Sequence, residues 1–151
     1  MKTINTEKAL LVYKLLNNAK YTKLEDDDKI RIFKITRALK PIAIAYEETG
    51  KDAVDKMKFE GFDETLVKAQ EYERIKKAGD GDTPLTDEEY SEFIKKLIDY
   101  DKLVKSTLKE LGNKEQTIDV ETLSEDAFGK LMTSNDWTME QVITVSDVVC
   151  S

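Results

Sequence analysis

Histidine is absent from this 151-residue chain, and cysteine occurs once, at Cys150. These two facts remove the most common general base, the Ser–His and Cys–His nucleophile pairs, and nearly all catalytic zinc sites. With no histidine and one thiol, a structural zinc site is excluded as well. Carboxylates remain, and 31 Asp and Glu could in principle do acid–base work or hold a hard cation. So many acidic residues supply close pairs by chance, and no pair stands out. The most suggestive spacing is Asp80 and Asp82 within the Gly79–Pro84 stretch. A calcium loop would need a ligand where Pro84 stands and a final glutamate where Ser91 stands, so the stretch reads as a turn. No catalytic residue, cofactor or metal ligand is assigned, and the chain is expected not to be an enzyme.

Two other groups of residues suit contact rather than catalysis. Lys29, Arg31, Lys34, Arg37 and Lys40 are spaced so that three or four of them lie near one face of a helix. They belong to a basic segment: residues 1–40 carry ten Lys and Arg against five Asp and Glu, while the other 111 residues carry 14 against 26. The net charge of −7 disfavours a phosphate backbone as a general partner. The other group is the C-terminal run Val145, Val148, Val149 and Cys150, apolar for its position. It is expected either to dock on the body or to meet another chain. The candidate interaction surface is therefore Lys29, Arg31, Lys34, Arg37, Lys40, Val145, Val148 and Val149.

The element that must position the basic row is the stretch Leu24–Lys58. Its apolar residues Ile32, Ile35, Leu39, Ile42 and Tyr46 recur every three or four positions, and Thr49, Ala53 and Met57 continue the stripe. This is a long amphipathic helix, with Asp26, Asp27 and Asp28 at its positive N-terminal end. Pro41 removes a backbone donor and crowds the Arg37 carbonyl. The helix therefore either kinks there or breaks after Leu39 and restarts. Because the stripe keeps its phase across Pro41, a kinked continuous helix is expected.

Around this scaffold the chain reads as mainly α: an antiparallel helical bundle about two long helices, with short C-terminal helices and a minor two-stranded β element. A strand in Lys2–Asn5 leads to a first helix capped by Asn5 or Thr6 and running to about Ala19, which packs antiparallel to the long helix. A third helix, with Asp63 as its cap, carries Leu66, Ala69, Tyr72 and Ile75 to about Ala78. Thr86 and Glu89 form a capping box for a fourth, whose stripe runs from Tyr90 to Leu111, with Gly112 as its stop. Alternation at Ile118, Val120 and Leu123 then predicts a strand over 117–121, pairing with the segment around Ile4. Ser124 caps a short helix, and Thr138 with Gln141 makes a second capping box, preceded by Trp137 as an apolar staple.

The length fits one domain, with 1–112 as a helical body and 113–151 as a strand-plus-helix subregion. Apolar content of 40%, charged content of 36%, six Gly and two Pro describe an ordered, highly charged helical protein. No apolar run is long enough for a membrane span, and Met1–Lys14 has charges through its apolar run and no cleavage-type site. A cytoplasmic protein, or one assembled from the cytoplasm, is expected, with no membrane partner.

The layout of Lys14-Leu15-Leu16-Asn17-Asn18, Lys29 through Arg37-Ala38-Leu39-Lys40-Pro41, a charged helical middle, and Leu123-Ser124-Glu125-Asp126-Ala127-Phe128 resembles small helical proteins of unknown function from tailed bacteriophages and prophages. The resemblance covers the whole chain and implies a place in virion structure or assembly; it transfers no catalytic residue. Three readings follow. The first is a non-enzymatic structural, assembly or adaptor protein that binds a protein partner or itself. The second is a small acidic regulator that binds nucleic acid or mimics it to occupy a nucleic-acid-binding protein, which needs the basic face of residues 29–40 exposed or the acidic residues of 60–101 arranged in a continuous stripe. The third, an enzyme using carboxylates alone, needs at least two of them in one concave pocket with displaced pKa values.

Overall fold

The computed structural model describes residues 1–79 and 81–151; Asp80, and with it the first half of the Asp80/Asp82 spacing, lies outside the described residues. The protein is mainly α-helical with a minor antiparallel β pair, as the sequence predicts. In chain order the elements are β1 (Lys2–Asn5), α1 (Thr6–Asn17), α2 (Asp26–Met57), α3 (Phe62–Ala78), α4 (Asp87–Asn113), β2 (Glu115–Ile118), α5 (Glu125–Thr133) and α6 (Met139–Val149). The backbone groups into two compact units, one of Met1–Gly50 with Lys109–Ser151 and the other of Lys51–Leu108. The boundary at residue 112 expected from sequence lies close to the second of these junctions.

The first unit is closed by the two ends of the chain. β1 and β2 pair antiparallel, with Lys2 opposite Ile118 and Asn5 opposite Glu115, so that Ile4 and Ile118 both turn inward. The strand expected over 117–121 runs from Glu115 to Ile118 because it is matched to the four residues of β1: Glu115 faces Asn5, where the chain turns to cap α1, and Ile118 faces Lys2, the first residue of β1. Val120 still packs against the core, as its alternation implied. The buried hydroxyl of Thr6 donates to the Lys114 carbonyl at 2.7 Å and accepts from the Gln116 amide at 3.1 Å, tying α1 to β2. Ala9, Val12 and Leu16 of α1, Ile32, Ile35 and Leu39 of α2, and Leu131, Val145, Val148 and Val149 further on interlock in one aliphatic core. Thr6 shares a cleft with Ile42 and Tyr46, and Leu16 one with Ile32 and Thr36, so α1 and α2 run antiparallel.

The tail is part of this core. Val145, Val148 and Val149 have no exposed surface, and the Leu123 amide donates to the Val149 carbonyl at 2.7 Å. The expectation that these three valines form an interaction surface is corrected: their spacing places all three on the inward side of α6. Trp137, one residue before the Thr138–Gln141 capping box, packs on the same core.

α2 is unbroken from Asp26 to Met57, with Pro41 inside it. Pro41 is exposed, so the donor it lacks and the Arg37 carbonyl it crowds lie on the solvent side, where water can satisfy them. α4 likewise passes through Gly112 and ends at Asn113, which corrects the expected stop. A stop of that kind needs a left-handed glycine, and Gly79 supplies one: at φ 73° its amide closes α3 on the Ile75 and Lys76 carbonyls. At the other end of α3 the cap is Gly61, also left-handed, and not Asp63.

The second unit is built on aromatic rings. Phe62, Ala69, Leu85 and Phe93 are its buried residues. Phe59 meets Phe62 edge-on at 5.1 Å between centroids and Phe93 at 5.9 Å, while Phe62 lies 4.8 Å from Tyr100. Tyr72 and Tyr90 stack at 4.2 Å, joining α3 to α4. Among the described residues, no helix is long and apolar enough to cross a membrane.

Candidate functional site

The inward side of α2 is committed to the core, through Ile32, Ile35, Leu39 and Ala43. At ~100° per residue, Ile30, Phe33, Lys34, Arg37, Lys40 and Ile44 fall together on the opposite side, within about a third of the helix circumference. Three of these six are large and apolar, yet 51% (Ile30), 61% (Phe33) and 42% (Ile44) of their surface is exposed. An exposed apolar residue alone carries no meaning, but three in one row between cations do.

The five basic residues separate into two groups. Arg31 is held against the body: its guanidinium donates to Asp28 at 2.8 Å and to Glu121 at 3.4 Å, and these hydrogen bonds, Asp28 first, raise its pKa further. It fastens the start of α2 to the segment after β2 and leaves the candidate surface. Lys29 lies at the edge of ion-pair distance from Asp26, 4.0 Å. Lys34, Arg37 and Lys40 make no ion pair among the described residues. Lys34 and Arg37 look across a cleft toward Asp119 and Glu121 without closing to an ion pair.

A cleft opens on each side of this face. One, of about 310 Å³, lies between the end of α1 and α2 and is lined by Leu16, Asn17, Tyr21, Lys29, Ile32, Phe33 and Thr36. In its wall the Tyr21 hydroxyl donates to the Leu16 carbonyl, and burial pushes that phenol up to about 12. The other, of about 490 Å³, runs along Lys34, Arg37 and Ala38 opposite Asp119, Val120 and Glu121.

Ile30, Phe33 and Ile44 were not among the candidate residues from sequence. The signal was their phase: they are apolar positions that fall off the Ile32–Ile35–Leu39 row, where a soluble helix ordinarily carries polar residues. A second set of exposed apolar residues, Leu11 of α1 with Met139 and Ile143 of α6, lies elsewhere on the first unit. Lys8 of α1 pairs with Asp147 of α6 at 3.0 Å, and Asn135, between α5 and α6, bonds the Lys20 backbone beyond the end of α1 at 2.7 and 3.1 Å. In the second unit, exposed Val67, Ile98 and Leu103 are scattered over two helices.

Carboxylates with displaced pKa values are accounted for by local structure. In the second unit, Glu60, Glu89 and Glu92 share a cleft of about 210 Å³ with Lys68 and Lys96. Glu89 there is held below its ordinary range chiefly because it accepts the Thr86 backbone N–H, which is capping of α4. Glu71 is lowered by its hydrogen bond with Arg74, and Asp87 by the Tyr72 hydroxyl and then Lys76. A lowered carboxylate keeps its charge at neutral pH, the reverse of what a general acid needs. Among the described residues, no group of three or more Asp, Glu or Cys is arranged to hold a metal ion. No family model matches the chain, and no curated protein or solved structure matches it either.

Proposed function

We propose that this protein works by protein–protein contact rather than by catalysis, as a structural, assembly or adaptor component, and that the solvent face of α2 is its contact surface. The observation that carries the reading is the row Ile30, Phe33 and Ile44, exposed between Lys34, Arg37 and Lys40 on a helix whose other side is fixed in an aliphatic core. Apolar side chains on a rigid helix, flanked by cations without internal partners, are the ingredients of an interface anchor. The layout resemblance to small helical phage proteins supports a role in virion assembly, in the cytoplasm or as part of the particle.

Nucleic acid fits this face less well. Exposed Asp26 and Asp27 precede the basic patch on the same helix, and exposed Glu47 and Glu48 follow it, so an extended phosphate backbone would meet carboxylates at both ends. The test is co-purification from the native cell of the wild-type chain and of Phe33→Asp/Ile44→Asp, expressed at equal level. The reading expects a defined protein, or a second copy of the chain, that the variant loses. An unchanged set of proteins, or the loss of nucleic acid instead, contradicts it.

A further inference from the structure

We infer that the partner presented to the α2 face is an acidic amphipathic helix of another protein, lying along the row from Ile30 to Ile44. The inference rests on the contact-face reading above and names the chemistry of its partner. Three observations carry it.

The first is charge. Lys34, Arg37 and Lys40 have no ion pair among the described residues and are spaced three apart, so their ammonium and guanidinium groups flank the apolar row along about two turns. A helix with Asp and Glu beside its apolar stripe pairs with that pattern; a neutral or basic helix leaves three desolvated cations unpaired. The second is extent. From Ile30 to Ile44 is ~21 Å at ~1.5 Å per residue, about four turns of helix, and the acidic pairs Asp26–Asp27 and Glu47–Glu48 bound it. A basic patch closed at both ends suits a short helical segment rather than a polymer backbone. The third is shape. The 310 Å³ cleft beside Phe33 has apolar walls in Leu16, Ile32 and Tyr21, and can receive a large apolar side chain while Phe33 itself projects toward the visitor.

A second copy of the same face is disfavoured by its own charges. Turning it antiparallel so that Ile30 meets Ile44 sets Arg37 on its symmetry mate and Lys34 on Lys40. Like charges then face each other at the centre of the interface, and an acidic partner removes that repulsion.

The experiment is display of a library of helical peptides about 15 residues long, matching the ~21 Å face at ~1.5 Å per residue, with one face randomised among Asp, Glu, Lys, Arg, Leu and Ser. It is selected on the full chain and counter-selected on Lys34→Glu/Arg37→Glu. Enriched sequences should carry Asp or Glu on both sides of a Leu row. The best of them should bind the reversed variant about tenfold or more weakly, and lose affinity as salt rises. Both substituted residues are exposed, and an unchanged Tm checks that the variant is folded; Lys34→Gln/Arg37→Gln should fall between the two. Enrichment of basic or neutral sequences, no enrichment, equal binding by the reversed variant, or stronger binding of duplex DNA or phosphatidylserine vesicles than of any peptide overturns the inference. If the library fails while Phe33→Asp/Ile44→Asp still strips a protein from the chain in cells, the acidic helix is lost and the contact face stands. If the acidic peptide is selected but co-purification is unchanged, the functional reading is what fails.

Discussion

The two units bury different chemistry. In the first, aliphatic side chains from both ends of the sequence interlock, and Leu16, Ile35, Leu39, Leu131 and three valines of α6 are fully enclosed. In the second, four buried residues, two of them phenylalanines, sit among further rings, and much of the fastening is polar and external: Tyr72 to Asp87 at 2.6 Å, Tyr90 to Glu73, and Lys58 to Asp63 at 3.2 Å. The difference teaches where a preorganised surface can be built. α2 presents Ile30, Phe33 and Ile44 from a side chain row whose opposite face is locked by close packing, so the exposed row is held in place before a partner arrives. The exposed apolar residues of the second unit are scattered, and no row of them converges.

The largest expected effect breaks the first unit at its tail. Removing residues 145–151 takes away three fully buried valines, each worth ~1.5–3 kcal/mol of burial, against a total stability of ~5–15 kcal/mol. The truncated chain should lose most of its cooperative unfolding transition, read by circular dichroism. A folded protein with unchanged Tm and altered mass would instead make the tail an interface.

Next comes the second unit. Phe93→Ala opens a cavity among Phe59, Phe62 and Ala69 and should cost ~3–5 kcal/mol in chemical unfolding, with a loss of near-ultraviolet aromatic dichroism. A cost below ~1 kcal/mol would mean that the rings are not a packed core. Smaller again, and opposite in sign, Pro41→Ala restores a donor in the middle of α2 and should raise stability by ~1–3 kcal/mol at unchanged mass. Destabilisation would show that α2 depends on the proline.

The smallest effect concerns acid. Asp87 and Glu89 at the start of α4, and Glu71 in α3, all have lowered pKa values in the folded state. Each contributes stability that is present above its ordinary value, 3.8 for Asp and 4.5 for Glu, and is lost as pH falls through the lower folded value. Unfolding midpoints should therefore drop below about pH 4, and Asp87→Asn should flatten part of that slope. An identical pH profile for the variant would remove Asp87 from the account.

What could be read from sequence was local. Asn5, Ser124, Thr138 with Gln141, and Thr86 with Glu89 all cap as expected, because each cap is settled within four residues of chain. The α2 stripe was legible for the same reason, since helical phase is a property of one segment. Two local expectations failed, the Asp63 cap and the Gly112 stop, because Gly61 takes the left-handed cap position and Gly112 stays helical; the other failures depended on partners far along the chain. The end of β2 is set by the length of β1, more than 100 residues earlier, and the valines of α6 are buried by elements they do not adjoin in sequence. Five cations could be placed on one helix, but only the fold shows that Arg31 turns to Glu121, 90 residues away, while Lys34, Arg37 and Lys40 do not find such a partner among the described residues. Ile30, Phe33 and Ile44 fall off the core row in phase, but only the fold shows that they stay exposed.

The measurement that bears most directly on the central claim is site-specific photo-crosslinking in the native cell. A photoreactive residue is placed in turn at Ile30, Phe33, Arg37 and Ile44 of α2, and at Val67, Ile98 and Ile143 as comparison sites. The account predicts a protein adduct of one defined mass from the α2 positions and none from the other three. Adducts distributed equally over both sets, or confined to the second unit, would contradict it.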